Sequence, residues 1–556
     1  MLTTMNKIDF VALGGLDERG KNCYALTIND NIFVFNVGIY FPSKEVLGLE
    51  SAIPDVSYLV ENSDKIKGIF IGSAFEKNFG GLAFLPEELK KIPFYTSNLN
   101  AFIINKYFNA DINFKIVDRM KSFEINGIKI TPFKIPNSLP NSLGFILNID
   151  NDNVVYMDDC IINTSKSSIL DNDILKIIPL VNEKNNLLLT SVGLVSTNNG
   201  FTTPGFQVQN YLNDLINENE GRIIIGLYSY DIYKIVSILN AANLTNRKIS
   251  FINQSTYEII KKMGSLEFIN LAKFNIIDFK NLTNVDDDVI VIADEYPHEL
   301  FDMLFKMCDG EYTNLLLNEK DTFLLAASTI NGLEKQEADL FDKVNENDVK
   351  DAIKLDKKYL DLSASAEDSK FLVSLIKPKY IIPINSLYMD FVNYQNIIGK
   401  TGFNKKNIII LRNGQRLKLN NMIAEEKTEF IPLTAKLVNI QGQIDDNNNA
   451  IIERKQMQEN GVVVVAYIID TKQKKIIKDK YDIVGVISLT KDNGNIITNI
   501  NAEIKNEINK ILEEMLMNKD KIDVKEFKII SRKIITKQYE KKFSKKPLIM
   551  MTLLFN

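Results

Sequence analysis

The stretch Gly68-Ile69-Phe70-Ile71-Gly72-Ser73-Ala74-Phe75-Glu76-Lys77-Asn78-Phe79-Gly80-Gly81 decides the fold. An apolar run of β type ends abruptly at Gly72. A mostly polar or small loop follows, and a Gly-Gly pair closes the turn. This is a corner where a buried strand hands the chain to a loop.

Around that corner, composition sets bounds. The chain has 556 residues, too many for one ordinary domain, so three or so folding units are expected. Apolar residues make up 45%, enough for sizeable cores. No run of eighteen apolar residues occurs and the first residues lack an apolar signal core, so a cytoplasmic location and no membrane partner are expected. Cys23, Cys160 and Cys308 are scattered and odd in number, which argues against a disulfide framework and a zinc ribbon and suits a reducing compartment. The net charge of −5 does not advertise nucleic-acid binding, so an RNA groove has to be a local basic patch. The single histidine, His298, excludes a histidine-rich metal site. Its setting, Asp294-Glu295-Tyr296-Pro297-His298-Glu299, reads as an exposed loop or helix start.

Further strands flank the corner. Phe10-Val11-Ala12-Leu13 is turned by Gly14-Gly15 within Ala12-Leu13-Gly14-Gly15-Leu16-Asp17-Glu18-Arg19-Gly20-Lys21-Asn22. Ile32-Phe33-Val34-Phe35-Asn36-Val37-Gly38 follows, then Ile53-Pro54-Asp55-Val56-Ser57-Tyr58-Leu59. Downstream lie Ser138-Leu139-Pro140-Asn141-Ser142-Leu143-Gly144, Asp158-Asp159-Cys160, Gly200-Phe201-Thr202 and Lys377-Pro378-Lys379-Tyr380-Ile381-Ile382-Pro383. Strands alternate with helices from Gly221 to Ile292 in a doubly wound pattern. In this order and in these words, the chain resembles the ribonuclease J family of metallo-β-lactamase-fold nucleases, from Phe10 to the C-terminal strand.

The resemblance implies a fold and a chemistry. The fold is an α/β metallo-β-lactamase αββα sandwich with an inserted β-CASP α/β domain and a small C-terminal α/β domain. The expected spans are 8–205 and 349–435 for the two parts of the sandwich, 206–348 for the insert, 436–450 for a polar linker and 451–556 for the last domain. Family members cut RNA with two zinc ions held by His-x-His-x-Asp-His in the opening corner and by further histidines. Here those positions carry Ser73, Phe75, Lys77, Asn78, Asn137 and Asn385, and Ser363 stands at a catalytic histidine. Zinc takes imidazole nitrogen, thiolate or carboxylate at about 2.0–2.3 Å. Phe75 has no lone pair, Ser73, Asn78 and Asn137 are poor ligands, and Lys77 puts a cation where the metals' charge belongs. No zinc cofactor and no catalytic residue are therefore expected.

Asp159 matches the family's metal-bridging carboxylate and is the one member of that shell retained. It reads either as a turn or capping residue or as a surviving site carboxylate, and it is expected to face Lys77 and pair with it. Glu76 reads as a solvated loop carboxylate. The family also implies phosphate contacts at Ser328, Ser363, Ser365 and Lys234. Lys541, Lys542, Lys545 and Lys546 read as a solvated basic turn or as RNA contacts. Two functions follow from the resemblance. One is a non-catalytic RNA-binding and assembly subunit, partnered with an active ribonuclease J paralogue or with itself. The other is a weak or altered nuclease using Asp159 and Glu76, with magnesium, which tolerates two carboxylates plus waters.

Overall fold

The computed structural model describes residues 6–41, 49–109, 111–163, 169–193, 199–202, 205–330, 332–360, 362–426, 429–434, 436–439, 444–445, 449–487, 491–517 and 522–556. One compact unit holds most of the chain up to Ile444, and a second holds the C-terminal region from Asp445.

In the first unit, two sheets face each other. The first runs in the order Ile423–Ala424, Gln415–Asn420, Lys7–Gly14, Cys23–Ile28, Asn31–Phe35, Ile66–Phe70, Phe94–Thr96 and Phe114–Ile116. The second runs Tyr380–Ile384, Asn185–Ser191, Asp152–Met157, Leu143–Ile149, Ile128–Lys134 and Phe123–Ile125. Inward side chains of both sheets, among them Phe10, Phe33, Phe35, Phe70, Phe145 and Tyr156, build the core between them. Phe35 and Tyr156 stack across it with centroids 4.4 Å apart. Leaving the insert, the chain rejoins both sheets. Ile381 pairs in parallel with Leu188, and Lys418 pairs antiparallel with Asp9. Sequence-distant halves thus share one core, the αββα sandwich expected.

The insert is an all-parallel sheet ordered Ile276–Asp278, Lys248–Phe251, Val289–Glu295, Ile223–Tyr228, Thr322–Leu325 and Asp351–Lys354. Its central strands are almost wholly apolar because helices cover both faces. The last strand, Asp351–Lys354, lies beyond the expected limit at 348. Charged residues at both of its ends hide so short a strand from pattern reading.

The expected linker 436–450 also differs. It holds strands at Lys436–Asn439 and Ile444–Asp445, and a helix starts at Asn449. Val438 packs with Ile39 and Ile53. Residues 446–448 of that linker lie outside the described residues.

In the second unit, Val462–Asp470 is the middle strand, antiparallel to Lys475–Val484 and parallel to Leu548–Phe555. Val463, Val465 and Tyr467 point to a core made with Ile504, Ile508, Leu512, Phe527 and Tyr539 of the two long helices. Strand alternation leaves Val464, Met550 and Leu554 exposed on the other face. In the basic turn, Lys546 pairs with Glu540 at 3.0 Å and the Lys545 ammonium donates to the Glu459 carbonyl at 2.6 Å.

Candidate functional site

Backbone bonds pin the corner. Lys77 O accepts from the Asn22 amide at 2.9 Å, and Asn78 O accepts from the Val37 amide at 2.8 Å. Gly38 is needed for this approach, since a Cβ there would sit 1.7 Å from Lys77 O.

The side chains at the expected ligand positions bond to one another. Asn78 is fully buried. Its amide nitrogen donates to Asp158 and, at 3.0 Å, to Ser73 Oγ. Its oxygen accepts from Asn22 at 2.7 Å and Asn36 at 3.1 Å. Ser73 Oγ donates to Asp158 at 3.1 Å. Asn137 donates to the Asp159 carbonyl at 3.0 Å and accepts from the Leu139 amide at 2.9 Å, holding its loop as a histidine could. Asn385, at φ 58°, donates to Ser191 Oγ at 3.3 Å.

Lys77 and Asp159 meet as an ion pair, and Ser191 Oγ donates to the same carboxylate. Asp159 is 8% exposed and serves as an ion-pair partner, not as a turn cap. Burial raises its pKa, but the Lys77 charge and the bonds from Lys77 and Ser191 outweigh this and hold it below the usual carboxylate range. Asp158, beside it, is shifted upward by burial and by the Asp159 charge, against the pull of Lys77. Burial disfavours the Lys77 ammonium, yet the two aspartates keep its pKa raised. Asp158 was not singled out from the sequence. Its signal was the doubled acid, Asp158-Asp159, where the family has Gly-Asp.

These residues do not fit two zinc ions. The one matching carboxylate is paired with an ammonium, and the other positions offer amide, hydroxyl or phenyl groups. Among the described residues no three His, Cys, Asp or Glu side chains cluster to hold a metal. Cys23, Cys160 and Cys308 are buried free thiols, and burial pushes Cys23 up to about 12, so none is a ready thiolate.

A cavity of about 310 Å³ opens over the corner, between sandwich and insert. Arg19, Lys77 and Asp159 face Tyr230, Ser328 and Ser363 across it. Phe75 packs edge-on against Tyr230 at 5.5 Å.

Two expected phosphate contacts are corrected here. Lys234 is buried, and its ammonium pairs with Asp231 at 2.6 Å and donates to the Ala326 and Leu360 carbonyls at 2.8 and 3.1 Å, so it braces the insert. Ser365 is fully buried and caps the helix Ala366–Ile376 in a reciprocal box with Asp368. Ser328 and Ser363 line the cavity, and so does Lys234, with its ammonium held by Asp231 and the two carbonyls. His298 lies in the first turn of the helix Pro297–Cys308; its side chain lies outside the described residues.

Glu76 is not a solvated loop carboxylate. It starts a short helix and accepts from the Tyr107 hydroxyl at 2.6 Å. Burial raises its pKa to about 7, with Glu299 and Glu295 adding to the rise and the Tyr107 bond opposing it. A carboxyl raised in the folded state binds more protons there than when unfolded, between about pH 4.5 and 7. Its contribution therefore falls as pH rises through that window. Glu76→Gln keeps the Tyr107 bond and removes the titration. Between pH 5 and 8 the wild type is expected to lose about 2 kcal/mol relative to this variant. Denaturant unfolding of both at the two pH values checks it; parallel pH slopes contradict it.

A sandwich interrupted by a β-CASP-type insert defines the class, proteins of the metallo-β-lactamase fold. Comparison narrows it. The ribonuclease J β-CASP domain matches residues 220–344 and the ribonuclease J C-terminal domain matches 449–554. An uncharacterized protein of Mycoplasma genitalium is 34% identical over 99% of this chain and 100% of its own length. Its Mycoplasma pneumoniae homologue is 32% identical over the same shares. Ribonuclease J 2 of Staphylococcus aureus is 25% identical over 84% of this chain and 85% of its own. The chain belongs to the ribonuclease J family. A solved structure from Enterococcus faecalis V583, of a protein of unknown function, superposes at TM-score 0.52 with 12% identity, over 75% of this chain and all of that one. It shares the fold. No helix among the described residues is long and apolar enough to cross a membrane.

Proposed function

We propose that this chain is a non-catalytic, RNA-binding and assembly subunit of RNA processing and mRNA decay that works in the cytoplasm beside an active ribonuclease J. The observation that carries this is the Lys77–Asp159 ion pair, closed in by Ser191, where the family's bridging carboxylate meets its metals. A lysine ammonium there repels a metal ion and stands in for part of its charge. Around it, Ser73, Asn78, Asn137 and Asn385 spend their polar groups on loops and on each other. Ser328 and Ser363, with Arg19 at the rim, leave the cleft able to meet an RNA backbone.

Co-purification from the native cell tests the partnership. The full chain is expected to bring down an active ribonuclease J. A chain ending at Ile444 keeps the first compact unit and is expected to lose the partner, because assembly is assigned to the C-terminal unit. Full yield of partner with the shortened chain contradicts that assignment. RNA cleavage by the full chain alone, with no nuclease recovered, contradicts the whole reading.

A further inference from the structure

Beyond the Gly80-Gly81 turn, the end of the first sheet carries a second cavity, of about 590 Å³. Its floor is apolar. Leu82, Ile92 and Phe94 are buried, and Phe108 and Ile112 sit half-buried beside them. Its rim carries Lys90 and Lys91, both exposed; Lys115 is exposed at the strand but its ammonium lies over the Tyr95 ring at 5.6 Å, on the other face of the sheet from Phe94. Among the described residues, the one carboxylate paired with any of the three is Glu87, on Lys90 at 2.8 Å.

The strand Phe114–Ile116 borders this cavity and ends the sheet, with Phe94–Thr96 as its one neighbouring strand among the described residues. The Val117 amide donates to the Thr96 carbonyl at 3.0 Å. Strand amides alternate in direction, so the Phe114 and Ile116 amides face away from that neighbour; the Phe114 amide donates to the Ile112 carbonyl at 3.0 Å, and the Ile116 amide is the one directed to the edge. Ile116 is 47% exposed. An open edge of this kind is a template for another strand, and such edges are usually blunted or covered.

We propose that the edge and the cavity together dock an extended acidic segment of a partner protein. Its backbone adds a strand beside Phe114–Ile116, one apolar side chain fills the cavity, and its carboxylates face Lys90 and Lys91. Backbone pairing supplies affinity and the pocket supplies selectivity, as in other strand-addition complexes. RNA fits the site less well. The rings of Phe94 and Phe108 are buried or half-buried in the floor, so they present no open face for base stacking, and RNA has no use for an outward strand amide.

The test uses the full-length chain and a fluorescein-labelled ten-residue peptide alternating Glu and Val around one central Phe, followed by anisotropy. Binding is expected with a Kd on the order of 10 μM. Lys90→Glu/Lys91→Glu is expected to weaken it at least about 10-fold. Ile116→Pro, which removes only an outward amide, is expected to do the same with the thermal midpoint unchanged. Should Ile116→Pro not fold, the wild-type chain with a peptide N-methylated at alternate amides answers the same question, and loss of binding is expected. The proposal is overturned if the wild type fails to bind up to about 1 mM, if a peptide with Lys for Glu binds equally, or if both variants and the methylated peptide bind like the originals. It is also overturned if dodecanoate or a uridine decamer takes the site with the same lysine dependence while the acidic peptide does not.

Discussion

Lys77→Met is expected to destabilise the first unit by about 3 kcal/mol at pH 7. The substitution keeps volume and removes charge. It leaves Asp159, 8% exposed, and Asp158, 1% exposed, as neighbouring buried carboxylates with no cation between them. Removing one partner of a buried pair costs roughly 3–5 kcal/mol, and the lower end applies because Lys77 is 28% exposed to the cavity. The sign of the pH dependence follows from Asp159. Its pKa is depressed in the fold, so the stability it contributes is present above its unfolded value of 3.8 and is lost as pH falls through the folded value. The part of the gap that this carboxylate carries should therefore persist from pH 7 down to about 3.8 and narrow only below it. Adding Asp158→Asn and Asp159→Asn to Lys77→Met should bring stability back to within about 1 kcal/mol of wild type, because no buried charge is then left unpaired. A cost for Lys77→Met below about 0.5 kcal/mol, the level of a surface pair, contradicts this.

The second large effect is on hydrolysis. A zinc ion lowers the pKa of its bound water to near neutrality and so supplies hydroxide at neutral pH. On the proposed reading this corner holds no metal to do so, and its one carboxyl raised to about 7, Glu76, is bonded to the Tyr107 hydroxyl. RNA turnover by the purified chain is expected to lie at least about 10⁴-fold below that of a zinc-bearing relative under the same conditions. Chelation should leave what remains unchanged. Turnover within about 100-fold of that relative, abolished by a chelator, contradicts the expectation.

The frame was legible because it is written in runs of neighbouring residues. Ala12 to Asn22 and Lys377 to Pro383 announce their strands and turns locally, and the rejoining of the sheets follows from them. What was not legible depends on contacts between distant segments. Glu76 reads as solvated until the helix Asn98–Phe108 brings Tyr107 to it from 31 residues away. Lys234 has the look of a phosphate ligand until the Ala326 and Leu360 carbonyls close around its ammonium. Asp351–Lys354 carries too little apolar pattern to announce a strand, and it is placed by pairing with Thr322–Leu325. The meeting of Lys77 and Asp159 could be expected because the family positions of both were legible. The inward turn of Asp158 toward Asn78 and Ser73 could not.

The most direct test is the zinc content of the full-length chain purified without chelators, measured by native mass spectrometry after incubation with excess zinc. Mass equal to the bare chain is expected, with well under about 0.1 zinc retained per chain, because the donor set at Ser73, Phe75, Lys77 and Asn78 cannot hold it. Two zinc ions retained per chain, lost together with RNA cleavage on Asp159→Ala, would contradict the claim that an internal ion pair has taken the metals' place.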